Sequence, residues 1–335
     1  MRVRKKYSLV NLDTSPMQVD RGRRSNTPEE QKRRFLRALM FVGVGIVICV
    51  IALIIIVSVI SDVGNSGKHV EEKKKNEDEE IVYSEKDSLT VLIAVTDDDK
   101  ITAEHFILMR IDPMCYAMEN YGYGVCFMSL PTDLVVGETG GTLSGEYAIG
   151  GTAQCALDLQ NISGSRRIST ATINFKSLSK LVDNVKGLKM VVEYDINYES
   201  PKGDRNINIA AGNREFNGSE AARVLYYPDW PGGKEEHDLM FCRAFASIAN
   251  KLICRTNSGY LDYYFNRITN AVTTNVSAGQ YQEIKKGLYN FALDHDGTED
   301  MTKIFLCQTE YDENGAKRLS ESGEQAIRTL FGEHE

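Results

Sequence analysis

The longest uninterrupted apolar run of the chain lies near its N-terminus. From Ala38 to Ile60 the sequence has no charged residue, and Ser58 is its one clearly polar side chain. A helix rises about 1.5 Å per residue, so such a run spans the roughly 30 Å hydrocarbon core of a bilayer. A secretory signal has a shorter apolar region and a small-residue cleavage site, which the following SDVGNSG lacks. The pattern predicts an uncleaved transmembrane helix over 38–60.

The residues that flank this run predict its orientation. Residues 1–37 contain eleven basic and four acidic side chains. Positive charge stays on the cytoplasmic side, so we expect a basic cytoplasmic tail over 1–37 and a single-pass protein of the cell membrane with its C-terminal part outside the cytoplasm. The run EEKKKNEDEE predicts a charged extracytoplasmic stalk over 61–87, and 88–335 is left as the folded domain. The net charge of −8, despite the basic tail, argues against nucleic acid as a partner.

Within the domain, short apolar runs alternate with amphipathic segments. The runs typical of strands are LTVLIAV, FILMRIDP, GVCFMSLP, ISTATINF and KMVVEYDI, with a hairpin connection expected at CYAMENYGY. Helical periodicity covers 151–160, the segment from an N-cap at Ser177 to Gly187, 218–226, 235–253, 260–271 and 278–293. One more strand near Phe305 and a closing helix after Ser320 complete the pattern. The sequence predicts an α/β domain with a mixed central sheet flanked by helices.

Two classes of site are disfavoured by the residues present. The domain has six cysteines, Cys115, Cys126, Cys155, Cys242, Cys254 and Cys307, but no CxxC pair and no Cys/His cluster, which argues against structural zinc. Their even number permits disulfides in an exported domain without fixing any pairing. No Gly-x-Ser-x-Gly elbow occurs and no histidine has a triad partner in sequence, which argues against a serine hydrolase.

Six segments, in order, resemble the LytR-CpsA-Psr family of Gram-positive bacteria. The segments are LTVLIAVTDDD, ILMRIDP, FMSLPTDLVV, GEYAIGGTAQCALDLQNISG, INFKSLSKLVDNVKGLKMVV and NINIAAGNREFNGSEAARVLYY. Family members have a cytoplasmic tail, one membrane helix and an extracytoplasmic α/β domain, which is the layout predicted above. The resemblance implies an envelope ligase that takes a glycopolymer from a polyprenyl-pyrophosphate carrier and transfers it to peptidoglycan. It also implies Mg²⁺ held by carboxylates, arginines that clamp the phosphates, and an apolar cavity for the isoprenoid tail.

The carboxylates of the resembled site have counterparts in this chain. Asp133 matches the aspartate of the Pro-Arg-Asp motif, and Glu104 stands where the family has the aspartate of Arg-Ser-Asp-Thr. Asp97 and Asp98 lie in the turn after the first strand. The resemblance therefore predicts Glu104 and Asp133 as a metal-binding pair, with Asp97 and Asp98 as weaker candidates.

The phosphate-binding residues depart from the family pattern. The positions where the family has arginine carry Thr102, Thr132, Tyr226, Pro228, Phe241 and Ala244, whereas Asp238 is kept beside them. Arg223 and Arg243 are the nearest arginines that could bind phosphate from new positions. Removal of one donor that stabilises transition-state charge typically costs about 10²–10³ in rate, so the departures bear directly on catalysis.

Three functions stay open from the sequence. The chain is a non-catalytic relative that binds a polyprenyl-linked glycan, an active glycopolymer phosphotransferase with a rearranged phosphate site, or an extracytoplasmic sensor or interaction module. A deep apolar cavity favours the first two functions over the third. Basic groups ordered near Asp133 favour the second function over the first.

Overall fold

The computed structural model describes residues 81–98, 102–117, 122–137, 140–201, 203, 205–296 and 301–333. The chain divides into the units Met1–Asp78 and Glu79–Glu335, and every described residue belongs to the second unit. The predicted cytoplasmic tail, the transmembrane helix and the stalk up to residue 80 lie outside the described residues. None of the described helices is long and apolar enough to cross a membrane.

A mixed sheet forms the centre of the domain. Its described strands are β1 (Leu89–Thr96), β2 (Ala103–Ile111), β3 (Val125–Leu130), β4 (Ser169–Asn174), β9 (Thr273–Thr274) and β10 (Thr302–Leu306). The strand order is β10–β3–β2–β1–β4–β9. β1 runs parallel to β4 and β3 runs parallel to β10, while β2 is antiparallel to both β1 and β3. The carboxyl ends of β1, β3, β4 and β10 therefore meet the amino end of β2 at one edge of the sheet, called here the acidic edge.

Two helical layers cover the sheet, because β1 alternates the faces to which it sends its side chains. Val91, Ile93 and Val95 belong to one core, and Leu92 and Ala94 to the other. The second core is closed by α2 (Leu143–Ser163) and α8 (Glu321–Phe331). The first core is closed by α3 (Phe175–Asn184), α4 (Gly218–Tyr226), α5 (Gly233–Leu252), α6 (Leu261–Thr269) and α7 (Ala278–Leu293). The predicted α/β fold with a mixed sheet flanked by helices is confirmed.

Small hairpins, one short α-helix and two short 3-10 helices (Glu85–Asp87 and Arg255–Tyr260) complete the described chain. One pair is β5 (Leu188–Val192) with β8 (Gly212–Phe216), and within it lies β6 (Ile196–Tyr198) with β7 (Ile207–Ile209). Near the C-terminus β11 (Thr309–Tyr311) pairs with β12 (Lys317–Leu319). The short helix α1 (Pro113–Ala117) follows β2 in the segment where the sequence predicted a hairpin connection. Residues 301–333 contain the three strands β10, β11 and β12, where the sequence predicted one strand.

The helix boundaries agree with the sequence pattern except at two places. α4 and α7 cover the predicted residues. The predicted N-cap at Ser177 is wrong, because β4 leads directly into α3 and the side chain of Asn174 accepts the hydrogen bond from the Ser177 amide at 2.8 Å. α2 begins earlier than the predicted 151–160, at Leu143, and bends at Gly151, whose φ of 66° and ψ of −162° are not helical. Glycine is needed there because other residues rarely adopt this conformation.

The end of the sheet opposite the acidic edge is held by a buried arginine. Arg110 is 2% exposed and donates to Asp112 at 2.9 Å and to Thr90 at 3.1 Å. Its remaining terminal nitrogen contacts both oxygens of Glu85 at 2.7 and 2.8 Å. Because Glu85 contacts Arg110 of β2, the described chain touches the sheet ahead of Ser88, the residue at which the sequence predicted that the domain begins. No disulfide joins any two of the six cysteines among the described residues.

Candidate functional site

The structure places the predicted carboxylates along the acidic edge. Asp97 and Asp98 follow β1, Glu104 is the second residue of β2, and Asp133 comes shortly after β3. The pairing of Thr96 with Ala103 sets the start of β2 beside the end of β1. The pairing of Phe106 with Leu130 sets it beside the end of β3 in the same way. The four predicted carboxylates therefore lie at one common edge of the sheet.

The carboxylates that follow β1 and the carboxylate that follows β3 form ion pairs with basic side chains. Lys317, on β12, donates to Asp133 at 3.0 Å, and this hydrogen bond raises the pKa of the lysine. Arg205 contacts Asp97 at 3.2 Å and Asp98 at 3.8 Å, and Asp98 also accepts from the amide of Lys176 at 2.9 Å. Each end of the edge thus has its own ion pair.

Magnesium fits this arrangement poorly. Mg²⁺ is usually held by one or two carboxylates that point at a common position together with water and phosphate oxygens. Across the described ranges, no three His, Cys, Asp or Glu side chains converge in a way that could hold a metal ion. Asp133 pairs with Lys317 and Asp97 pairs with Arg205, so these carboxylates face protein cations. Magnesium at the pair of Glu104 and Asp133 stays a prediction of the sequence.

The two arginines that the sequence predicted as phosphate ligands lie on the helices α4 and α5. Arg223 is exposed on α4. Arg243 lies on α5 and donates to Glu193, just after β5, at 3.2 Å. Its contact is therefore with a hairpin carboxylate and not with the predicted acids of the edge.

The arginine that does reach the acidic edge comes from the segment between β6 and β7, and sequence reasoning missed it. Both terminal nitrogens of Arg205 donate to Oδ1 of Asp97 at 3.2 Å. Its guanidinium lies 4.1 Å from the centre of the Tyr226 ring, which is the geometry of a cation–π contact. Burial lowers the pKa of Arg205, but the hydrogen bonds and charge of Asp97 outweigh it and the net shift is upward. The side chain stays 23% exposed, so the group is charged, oriented and accessible.

A second cation reaches the edge from the start of α5. The ammonium of Lys234 donates to the backbone carbonyl of Glu104 at 2.7 Å and to Asp238 at 3.1 Å. Asp238 is buried and also binds Nδ1 of His105, which is 2% exposed. Burial lowers the pKa of His105 more than Asp238 raises it. This polar cluster fixes Lys234 against the first residues of β2.

Aromatic side chains fill the space beneath the edge. Phe241, at a position where the resembled family has arginine, is fully buried, and its ring centre lies 4.3 Å from that of His105. Tyr226, at another such position, packs edge-to-face on Phe175 with 5.4 Å between ring centres. Ala244 is fully buried as well. These positions contribute to the core and not to a set of phosphate donors.

An apolar cavity of about 230 Å³ lies in the first core, between the sheet and α5, α6 and α7. Its lining is almost entirely hydrocarbon and includes Ile93, Ile173, Phe245, Ala249 and Ile284. Strands advance about 3.3 Å per residue, so the part of the cavity next to Ile93 is about 13 Å from Asp97 along β1. Ile173, which also lines the cavity, lies two residues before Phe175, the residue that packs on Tyr226. The cavity therefore extends along β1 from Leu89 to Ile93 and ends four residues before Asp97.

The domain has the fold of several solved bacterial proteins. It is 18% identical to a protein from Eubacterium siraeum described as a transcription regulator, over 76% of this chain and 95% of that one, with a TM-score of 0.63. TagV of B. subtilis is 16% identical over 72% of this chain and 94% of its own, with a TM-score of 0.55. TagT bound to LI-WTA is 14% identical over 75% of this chain and 91% of its own, with a TM-score of 0.52.

Identity at this level shows the fold alone, and no curated protein sequence matches the chain significantly. The family itself is shown by a sequence pattern. The model of the LytR_cpsA_psr family matches residues 53–228, which is more than half of the 335 residues. The match includes the ends of β1 to β4, the start of β2 and the segment that carries Arg205. The chain belongs to the LytR_cpsA_psr family.

Proposed function

We propose that the protein binds a polyprenyl-(pyro)phosphate-linked glycan at the cell envelope, with the isoprenoid chain in the apolar cavity and the phosphates at the acidic edge. The family acts in the attachment of envelope glycopolymers, and the solved relative TagT is bound to a wall teichoic acid. The observation that carries the proposal is the cavity, because an ordinary core is close-packed and leaves no such space. A sensor or interaction module has no need of it.

The buried side chains at positions where the resembled family has arginine support binding of the ligand without efficient transfer of its glycopolymer. Phe241 and Ala244 are fully buried where the resemblance places arginines. A buried aromatic ring offers no donor for the charge that develops on a phosphate during transfer. Binding of the lipid-linked glycan is therefore the primary proposal, with peptidoglycan and the membrane as the expected surroundings.

Transfer of the glycopolymer to peptidoglycan is the second candidate. It is favoured by one observation, the charged guanidinium of Arg205 at the acidic edge. An arginine in this place supplies planar, bidentate hydrogen bonding to phosphate oxygens. Turnover of a polyprenyl-pyrophosphate-linked sugar, lost on Asp97→Asn, distinguishes an active phosphotransferase from a binding protein.

The binding proposal is tested by filling the cavity. Ala249 lines the cavity from α5, so Ala249→Trp places a large ring where the isoprenoid chain would lie. The matched control is Ala153→Trp, an exposed alanine of α2 on the other side of the sheet. The measurement is titration of the purified full-length protein with farnesol, read by native mass spectrometry.

We expect farnesol to bind the parent chain and the control alike, and to bind Ala249→Trp at least about tenfold more weakly, which corresponds to about 1.4 kcal/mol. Thermal melting of the three proteins checks that each is folded. Equal farnesol affinity for folded Ala249→Trp and Ala153→Trp would rule out the cavity as the binding site. Failure of the parent chain to bind farnesol would do the same.

A further inference from the structure

At the acidic edge an arginine lies beside a position where the resembled family has arginine and this chain does not. Tyr226 stands on α4 where the resembled family has an arginine, and the guanidinium of Arg205 lies 4.1 Å from the centre of that tyrosine ring. Arg205 comes from the segment between β6 and β7 and crosses to the end of β1. A positive charge is thus present beside position 226, although the residue at that position is neutral.

Arg205 is also oriented in advance for a ligand. A guanidinium has five N–H groups in a planar fork. Nη1 and Nη2 share Oδ1 of Asp97 at 3.2 Å, and Asp98 lies too far away, at 3.8 Å, for a hydrogen bond. Among the described residues no hydrogen bond is made by Nε, which leaves this donor for a ligand oxygen. The ion pair and the stacked ring restrict the rotamers of a long side chain, which lowers the entropic cost of binding.

Lys234 supplies a second charge at the same edge. Its ammonium donates a hydrogen bond to the backbone carbonyl of Glu104, near the start of β2. The pairing of Thr96 with Ala103 places the start of β2 next to the turn that contains Asp97. The lysine side chain is 49% exposed, and the buried Asp238 fixes its position. Arg205 contacts the turn after β1 and Lys234 contacts the start of the neighbouring strand β2, an arrangement that suits a ligand with two adjacent phosphates.

We propose that Arg205 and Lys234 form the phosphate-binding pair of this protein, with direct hydrogen bonds to the phosphate oxygens and no bridging metal ion. The inference rests on the proposed function, since it assigns the polar end of the same lipid ligand. In the described part of the chain neither Arg223 nor Arg243 forms an ion pair with the predicted acids, so the proposal replaces them with Arg205 and Lys234. The ligand class is a polyprenyl diphosphate or monophosphate, recognised through charge and a planar fork.

The test compares two probes with the same hydrocarbon chain, farnesyl pyrophosphate and farnesol. Both are titrated into the full-length protein in the presence of EDTA and read by native mass spectrometry. Four variants are compared with the parent chain: Arg205→Gln, Arg205→Lys, Lys234→Gln and the control Arg214→Gln, an exposed arginine on β8, the strand that follows β7 in sequence. The measured quantity is the ratio of the two affinities, which cancels the contribution of the cavity.

We expect the parent chain to prefer farnesyl pyrophosphate by about tenfold or more, as charge-assisted hydrogen bonds of this kind imply. Arg205→Gln removes most of the preference, Arg205→Lys restores part of it, and Arg214→Gln leaves it unchanged. Lys234→Gln lowers it by a smaller factor. The preference also falls with added salt, because the site is open to solvent.

Other outcomes overturn the proposal in distinguishable ways. A preference that survives Arg205→Gln, or that falls equally in Arg214→Gln, refutes the role of Arg205. Tight farnesol binding without any preference for the pyrophosphate in EDTA refutes the phosphate pair while the cavity proposal stands. Binding of neither probe refutes both proposals.

Discussion

His237 couples the stability of the site region to pH. Its Nε2 lies 2.5 Å from the carbonyl of Leu225, and its ring stacks on Trp230. Burial, followed by the nearby His105, lowers the pKa of His237 from 6.5 to about 4. The folded protein thus keeps this ring neutral at a pH where the unfolded chain protonates it.

The sign and size of the effect follow from proton linkage. Between pH 6.5 and 4 the unfolded state binds more protons at this position than the folded state, so stability falls as the pH is lowered. The contribution is fully present above pH 6.5 and is lost progressively toward pH 4. A shift of this size corresponds to about 3 kcal/mol at 1.36 kcal/mol per pKa unit.

The assay is urea unfolding of the parent chain and of His237→Gln between pH 4 and pH 7.5. Glutamine keeps an N–H donor for the Leu225 carbonyl but does not titrate. Carboxylates titrate in both proteins, so their contribution cancels in the difference between the two curves. We expect the parent chain to lose about 3 kcal/mol more than the variant over this range. Parallel curves, or a steeper loss in His237→Gln, would refute a neutral buried His237.

Two further predictions concern stability. Asp112→Asn removes the buried charge that faces Arg110 and should reduce the free energy of unfolding by about 3 kcal/mol. Asp133→Asn, at the exposed pair with Lys317, should change the free energy of unfolding by less than about 1 kcal/mol. Urea titration of both variants measures the two changes, and equal effects would contradict the prediction. Gly151→Ala should destabilise by about 1–3 kcal/mol because of the positive φ at the bend in α2, while Gly279→Ala, where the added methyl group meets only Ser277 at 3.6 Å, should be neutral or stabilising. Thermal melting of the two alanine variants measures this difference, and a stable Gly151→Ala would show that the bend is not fixed by glycine.

The sequence predicted the sheet because its central strands are buried on both faces. A strand of this kind reads as a continuous apolar run, as LTVLIAVT does for β1. Asp97 and Asp98 could be placed for the same reason, since they directly follow such a run, whereas Glu104 and Asp133 were predicted from the family resemblance. The bounds of α4 and α7 were also predicted correctly. The sequence was sufficient to predict an element wherever the residues that determine this element are neighbours in the chain.

The pairs that define the site have no local signal. Asp97 and Arg205 are 108 residues apart, and His105 and Asp238 are 133 residues apart. β6 and β7 are three residues each, INY and INI, which is too short for a convincing alternation. Without the hairpin, nothing in the sequence directs Arg205 toward β1. The same brevity hid the β11–β12 hairpin, whose Lys317 holds Asp133.

The route by which Arg205 reaches the edge affects how such a site can change during evolution. Phe241 and Ala244 are enclosed in the core, so an arginine at either position requires the surrounding side chains to repack. A hairpin connection tolerates insertion, deletion and exchange far better than a helix interior. A charge carried there can be gained, lost or moved by a change of loop length without disturbing the folded domain. Relatives that lack the helical arginines are therefore better compared by the length and charge of this loop than by the aligned helix positions.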